Sequence, residues 1–302
     1  MVDSGVSEAW TTLKVLDWTA GRFERAGQES ARLDAQILLA HVLKCPRMAL
    51  YTSFDKPLAP EELAAFRALI QRRLDGEPVA YLTGRQEFWS LPFAVDARVL
   101  IPRPDTETLV QVALELGDAL SLERGDEAKA LRVVEVATGS GAVTIALAHE
   151  RAPWTFVATD LSADALVVAK KNAESNNVAA RIDFREGHLL GPLSDAAPVS
   201  LLVSNLPYIS EADMKTLSPD VLHEPHSALY GGVEGTELIS EMVAGLDEVL
   251  EPGGWVALEH GFDQGESVRA IASSAGFVEV QSRSDLGGRA RVTFFRKASL
   301  DA

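Results

Sequence analysis

The chain has 302 residues, more than one average domain, and 47% of them are hydrophobic, which excludes a disordered or fibrous protein. Its 28 basic and 44 acidic residues leave a formal net charge of −16, which argues against a protein that grips nucleic acid by coating phosphates with Lys and Arg. The charge is uneven: 10 basic against 11 acidic residues up to Gly84, then 18 against 33 from Arg85 onward, nets of −1 and −15 that point to two units with different surfaces. A single cysteine, Cys45, excludes an internal disulfide and suits a reducing compartment. The opening ten residues lack the basic and then apolar pattern of a secretory signal, and no uncharged apolar run reaches about 18 residues. A soluble, cytoplasmic protein is expected.

In chain order, three helices are predicted first. Leu13, Val15, Leu16 and Trp18 begin an apolar pattern that ends near Ala26-Gly27. Residues 30–43 put Leu33, Ile37, Leu38, His41 and Val42 on one face, with Ser30 as N-cap and His41 read as a core histidine with its ring nitrogens satisfied. Cys45 reads as a buried small residue. The third helix opens at Ala59-Pro60-Glu61-Glu62, with proline in the first turn and acids against the helix dipole. It closes at Arg72-Arg73, read as a solvated end. Between 84 and 104, Phe88, Trp89, Leu91, Phe93, Val95, Val99 and Ile101 interleave with Pro92 and polar residues, the pattern of a short hairpin. Asp105-Thr106-Glu107 then starts a helix that runs through Leu109, Val112 and Leu116.

From residue 131 the pattern alternates. Strands are predicted at 131–136, 154–159, 182–184, 199–204 and 255–258, and helices at 143–150, 164–175, 236–250 and 264–275. Two last strands, 277–281 and 292–296, flank Gly287-Gly288 as an antiparallel pair. The fold class expected is α/β, a three-layer sandwich with a mostly parallel sheet. Three segments follow: a helical unit at 1–84, a β-hairpin linker at 85–104 and the α/β domain at 105–302.

Three motifs carry chemistry. Strand 131–136 ends near an acid, Glu135, and passes through Ala137, Thr138, Gly139, Ser140 and Gly141 into a helix. Small residues let the backbone approach a ligand, and the helix start offers free N–H groups. The G-x-G-x-x-G dinucleotide pattern is not met, because Thr144 stands at the third glycine, and a tight turn with no ligand is the plain alternative. Asp160, 19 residues after Gly141, ends the next strand where a carboxylate can take a ribose diol, or else cap the following helix. Ser204-Asn205-Leu206-Pro207-Tyr208 follows the apolar strand at 199–204. There the Asn205 carbonyl can accept from a planar NH2 group, and Leu206, extended by the proline after it, can offer its own C=O. Tyr208 supplies a flat wall. Out of context the same residues would be a turn.

Together these motifs resemble the class I S-adenosylmethionine methyltransferases that modify planar nitrogens. Val99-Leu100-Ile101-Pro102-Arg103-Pro104-Asp105-Thr106-Glu107 is similar to the signature segment of the bacterial release factor glutamine methyltransferases of the HemK/PrmC type. The preceding Glu77-Pro78-Val79-Ala80-Tyr81-Leu82-Thr83-Gly84 matches too, as do His223-Glu224-Pro225, Leu258-Glu259-His260-Gly261 and Asp285-Leu286-Gly287-Gly288-Arg289. The resemblance covers nearly the whole chain. Departures stand at Ala137 (usually Gly), at Leu206 (usually Pro) and at His188-Leu189, where relatives tend to carry an Asp and an aromatic residue. A positive φ at Ala137 would be awkward.

The resemblance implies a class I methyltransferase Rossmann-like fold and methyl transfer from S-adenosyl-L-methionine to the glutamine side-chain amide of the Gly-Gly-Gln tripeptide in peptide chain release factors, with S-adenosyl-L-homocysteine as product. It implies Asn205, Pro207 and Tyr208 as catalytic, with Leu206 joining them in binding substrate. Glu135, Ala137, Thr138, Gly139, Ser140, Gly141, Asp160, Leu189 and Asn205 would hold the cofactor, and no metal is called for. The helical unit would dock the protein substrate. No membrane or stable nucleic-acid partner is expected, and a monomer is. Rival readings are an N6-adenine methyltransferase, opposed by the acidic α/β half and the lack of a basic stripe, a ribosomal-protein glutamine methyltransferase, opposed by Pro104-Asp105-Thr106-Glu107, and a non-catalytic adenosyl-binding protein. His223 and His226, parted by Pro225, read as loop histidines and not metal ligands. Gly231-Gly232 reads as a loop over the site.

Overall fold

The structure, a computed structural model, describes residues 9–125, 130–194 and 198–299. The reading of the opening segment as no secretory signal falls largely on residues 1–8, outside the described ones. The chain divides into two compact units, Met1–Gly84 with Pro219–His223, and Arg85–Ser218 with Glu224–Ala302. No helix among the described residues is long and apolar enough to cross a membrane.

The first unit holds α1 (Thr12–Arg25), α2 (Ala31–Leu43), α3 (Ala49–Thr52), α4 (Pro60–Leu74) and α5 (Val79–Thr83). Its core joins Val15, Leu16 and Phe23 to Leu38, Leu39, Phe66 and Ile70, and the half-buried Cys45 packs against it. The inward face of α2 differs from the sequence expectation. Ala31, Ala35, Leu38 and Leu39 are buried, whereas Leu33 and His41 are exposed, so His41 is not a core histidine. Apolar residues surround this helix on most sides, so hydropathy alone sets its phase weakly. Small alanines and a buried ion pair decide it: Arg73 Nε lies 2.9 Å from Asp34 Oδ2, and both residues are buried. Arg73 is therefore no solvated helix end, while Arg72 pairs with Glu77 at the surface. Ser30 stands at the N-cap of α2 but its side chain makes no capping bond.

The second unit opens with the hairpin β1 (Arg85–Phe88) and β2 (Leu91–Ala94), antiparallel about Trp89 and Ser90, both at positive φ. Residues 95–103 continue without strand structure. Then come α6 (Glu107–Arg124), β3 (Arg132–Val136), α7 (Ala142–Glu150), β4 (Thr155–Asp160), α8 (Ala163–Ser175), β5 (Ile182–Glu186) and β6 (Val199–Ser204). β7 (Ile209–Ser210), α9 (Glu211–Met214), β8 (Tyr230–Gly232), α10 (Glu237–Val249), β9 (Leu250–Glu259), α11 (Gly265–Ser274), β10 (Val278–Ser284) and β11 (Ala290–Arg296) complete it.

Seven of these strands form one sheet in the order β10-β11-β9-β6-β3-β4-β5. β9, β6, β3, β4 and β5 run parallel, and β11 and β10 close the edge antiparallel. One sheet face, with Val134, Val136, Leu202, Val256 and Phe295, packs on Ile239, Met242 and Leu246 of α10 and Val268 of α11. The other face is covered by α6, α7 and α8. This is the class I methyltransferase sandwich. Strand order reverses beside β3, so the carboxyl ends of β3, β4 and β6 open onto one crevice, the place where open α/β sheets take ligands.

Candidate active site

The turn after β3 is held from below by two acids, Glu135, which is buried, and Asp160, which is half-buried. Glu135, 2% exposed, accepts from the Thr138 hydroxyl (2.6 Å) and from the Thr144 N–H (3.0 Å) through Oε2, which ties the turn to the first turn of α7. Thr144, standing where a dinucleotide motif has its third glycine, thus has its N–H used inside the protein. Burial pushes the Glu135 carboxyl up to about 7, the nearby Asp160 charge adds to this, and the bonds from Thr138 and Thr144 oppose it. Asp160 accepts from Gly139 N (2.8 Å) and Ser162 N (2.9 Å), clamping the turn to the end of β4, and burial raises its pKa. Ser162, not Asp160, caps α8 with its side chain. These bonds within the protein fix the shape of the turn.

The backbone at Ala137 has φ +58°, the left-handed region in which an L side chain is strained by about 1–2 kcal/mol. The awkward case foreseen from the sequence is therefore the one adopted. Gly139 (φ +55°) and Gly141 (φ +83°) share that region, and a Cβ on Gly141 would stand 2.9 Å from Ile145 Cδ1. Gly141 accordingly lets α7 and α8 pack closely and does not line the cleft. A residue missed from the sequence braces the same turn. Asn172 of α8, 1% exposed, donates to Ser140 O (2.9 Å) and Ala94 O (3.0 Å) and accepts from Ala94 N (2.7 Å), joining turn, helix and hairpin.

One cleft gathers Glu135, Ala137, Thr138, Gly139, Ser140, Asp160, Leu189, Asn205, Leu206 and Pro207 from the sequence-derived set, leaving Gly141 and Tyr208 just outside the lining. Leu189 sits at φ +44°, buried against the α10 core, and the adjacent His188 faces Glu241 at 2.9 Å. The Asp160 carboxylate and the apolar side chains of Leu189 and Ala165 line this same cleft. An acceptor carboxylate beside apolar side chains, with a glycine-bearing turn at a parallel-strand end, fits an adenosyl ligand with an amino-acid tail.

At the end of β6, Ser204 Oγ donates to Val136 O (2.7 Å), binding the β6 exit to β3. Asn205 Nδ2 lies 3.3 Å from Thr106 Oγ1, so this nitrogen turns inward, towards the start of α6. Tyr208 is fixed through its carbonyl, which accepts from Gln264 Nε2 at 2.9 Å, while Gln264 Oε1 accepts from Gly261 N. Burial and the Glu259 charge push the Tyr208 hydroxyl up to about 12, and Arg291 and Arg103 pull it back, so the phenol stays neutral. Gly231 and Gly232 do not form a loop over the site. They belong to β8, which pairs in parallel with β7, and this strand leaves Gly231 pressed on Pro207 and Tyr208 with no room for a side chain.

The matched segments that carried no assigned role prove to be the supports of this corner. Glu224, buried, accepts from Ile101 N (3.1 Å) and pairs with Arg103, pinning the segment that leads to Thr106. Arg291 bridges Asp105 (3.0 Å) and Asp285 (3.1 Å). Glu259, 2% exposed at the end of β9, lies against Thr106 and Asn205 and has one carboxyl oxygen, Oε2, without a hydrogen-bond partner. The sequence signal was present, since Thr106, Glu224, Glu259 and Asp285 all lie inside matched segments, but only folding brings them together. His226 packs on Tyr230 at 5.3 Å between ring centroids and His223 lies with the first unit; no group of three or more potential metal ligands occurs among the described residues.

Residues 14–84 match the PrmC N-terminal domain family and residues 133–223 a methyltransferase domain family. A release factor glutamine methyltransferase of Geobacter sulfurreducens is 42% identical over 94% of this chain and 96% of its own length. One from Xylella fastidiosa is 43% identical over 90% and 95%, and one from Rhodopirellula baltica 36% over 99% and 100%. Among solved structures, the hMettl16 catalytic domain in complex with the MAT2A 3′UTR hairpin 1 superposes with TM-score 0.57 at 14% identity, covering 83% of this chain and 85% of that one, a likeness of fold alone.

Proposed function

The chain belongs to the release factor glutamine methyltransferases, and on that premise we propose how its residues share the work of methylating the Gly-Gly-Gln glutamine of peptide chain release factors. S-adenosyl-L-methionine supplies an electrophilic methyl on its sulfonium and leaves as S-adenosyl-L-homocysteine. The turn Ala137, Thr138, Gly139 and Ser140 would hold the methionine end, with Glu135 setting its shape and Gly141 packing it close to α8; Asp160 would take the ribose hydroxyls and Leu189 would flank the adenine.

An amide nitrogen is a weak nucleophile because its lone pair is shared with the carbonyl, so the protein's task is orientation. Asn205 Oδ1 and the Leu206 carbonyl accept the two N–H bonds of the glutamine amide, which aims the lone pair at the methyl and stabilises the positive charge that grows on nitrogen. Pro207 and Tyr208 shape the slot. The nitrogen gives up one proton to solvent as the C–N bond forms. The observation that supports this reading most is the inward turn of Asn205 Nδ2 to Thr106, which leaves Oδ1 as the side-chain atom available to a donor.

The helical unit, with nearly neutral charge, is the arm that grips the protein substrate. It carries a solvent-facing aromatic group in which Trp10 and Trp18 meet edge to face at 6.3 Å and Arg22 lies over Trp18. The protein works as a cytoplasmic monomer with no stable nucleic-acid partner. The test is transfer of labelled methyl to a purified release factor, to its Gln→Ala variant and to rRNA. Label on the release factor alone supports the reading, and label on rRNA but not on the release factor overturns it. Replacing Trp10 and Trp18 together by Ala is expected to raise KM for the intact release factor about tenfold while leaving cofactor affinity unchanged.

A further inference from the structure

The side-chain amide of an asparagine is nearly symmetric in shape, and its two ends differ only in hydrogen-bond polarity. If Asn205 turned over, it would present an NH2 group to the NH2 group of the substrate, donor against donor. Something inside the protein must therefore break the symmetry. Resting on the proposed role of Asn205, we propose that Glu259 is a positioning residue that, with Thr106, holds the Asn205 amide with nitrogen inward and Oδ1 towards the glutamine.

Asn205 Nδ2 lies 3.3 Å from Thr106 Oγ1, so the threonine oxygen accepts there and its own hydrogen must point elsewhere. The Glu259 carboxyl is the acceptor at hand, in reach of both Thr106 and Asn205, and its unpartnered Oε2 means that it has acceptor capacity to spare. A carboxylate accepts only, so with Glu259 ionised every hydrogen in the chain runs towards it, from Asn205 to Thr106 to Glu259. With Glu259 protonated, its own hydrogen can go to Thr106, the threonine hydrogen is released towards Asn205, and the oxygen-inward orientation becomes equally good.

The groups that face Glu259 set the pH at which this changes. Burial pushes its carboxyl up to about 7, and the Asp105 charge raises it further. Thr106, Arg291 and Asn205 oppose the rise. Tyr208 stays neutral above this range, and the neighbouring His260 is kept neutral by burial, with its nitrogens spent on Gly261 O and Thr293 Oγ1.

The test is the pH dependence of methyl transfer from full-length protein to a purified release factor at saturating S-adenosylmethionine, a condition that removes effects of Glu135 on cofactor binding. The unmodified protein should lose rate along one acid limb with its midpoint near 7. Glu259→Gln, which mimics the protonated acid, should be about tenfold slower at pH 8 and show no acid limb, with cofactor affinity by calorimetry changed by less than about twofold. Thr106→Val should be slower by about the same factor, and Thr106→Ser should restore the rate to within about twofold. Retention of the acid limb in Glu259→Gln, or a loss of cofactor affinity as large as the loss of rate, overturns the inference. Failure of the unmodified protein to label any release factor overturns the functional reading on which it rests.

Discussion

Replacing Gly231 by Ala gives the sharpest test of how the loop at 205–208, to which the proposed function gives the glutamine, is held. A Cβ built at 231 would stand 2.4 Å from the Pro207 carbonyl oxygen, 2.7 Å from Tyr208 Cα and 2.9 Å from Gly235 O, all backbone atoms that no rotamer change can move. Restoring a contact of about 3.0 Å to Pro207 O requires a shift of at least about 0.6 Å in the loop or in β8, in a region as densely packed as a crystal. The β7–β8 pairing and the Gln264 bond to Tyr208 O both resist movement away from the site. Overpacking of this kind costs about 1–3 kcal/mol of stability. Misplacing acceptors by about half an ångström to one ångström lowers a rate that depends on orientation by about tenfold to a hundredfold. The assay is steady-state methyl transfer to a release factor, with cofactor affinity by calorimetry and a thermal melt on the same protein. We expect kcat to fall by that factor with cofactor affinity within about threefold, because the turn at 137–141 and Asp160 lie on other strand ends. A folded Gly231→Ala protein with kcat within twofold of the parent would refute the view that this glycine sets the position of Pro207 and Tyr208.

Other expectations follow from the same structure. Glu135 and Glu259 keep their protons up to about pH 7 in the folded chain, whereas unfolded glutamate releases its proton near 4.5. The native state therefore binds more protons between those values, and stability should increase as pH falls from 8 towards 5, by on the order of 1–3 kcal/mol per group. Thermal melts at pH 8 and 5.5 should show Glu135→Gln losing part of that gain; equal pH dependence in parent and variant would count against it. Ala137→Gly removes the left-handed strain but frees the unfolded chain, so it should raise stability by up to about 1 kcal/mol in denaturant unfolding, and a loss greater than that would contradict the strain. Asp34→Ala strands the buried Arg73 and should destabilise the protein by about 3–5 kcal/mol, while leaving transfer chemistry by surviving folded protein unchanged. Gly117→Ala drives a Cβ to 2.2 Å from the Trp154 ring and should lower stability by about 1–3 kcal/mol with no change in cofactor affinity.

Much of the α/β domain is legible in the chain because its signals are local. Buried parallel strands such as Val199–Ser204 are short apolar runs, and each is punctuated by the turn residues that follow it. The motifs at 135–141, 160 and 205–208 are contiguous or end a strand, so their positions on the strand ends follow from the alternation of elements. The helical unit is harder to read, because α2 is apolar on most of its circumference and its phase is chosen by a partner, Arg73, 39 residues away. Hydropathy counts carbon surface and is blind to that ion pair.

The sequence by itself determined the alternation of the main strands and helices from residue 131, the parallel-sheet class and the three strand-end motifs, since each depends on neighbours within a few residues, whereas the short elements α3, α5, β7, α9 and β8 escaped it. It also carried the charge division, near zero before Gly84 and −15 after it. Only the tertiary structure decided which residues stand behind those motifs: Asn172 under the turn, Glu224 under Arg103, Gly231 against Pro207, and Glu259 with Thr106 against Asn205. These contacts join segments tens to more than a hundred residues apart. Their energies arise from hydrogen-bond polarity and excluded volume at a few ångströms, quantities that exist only once the chain has closed on itself.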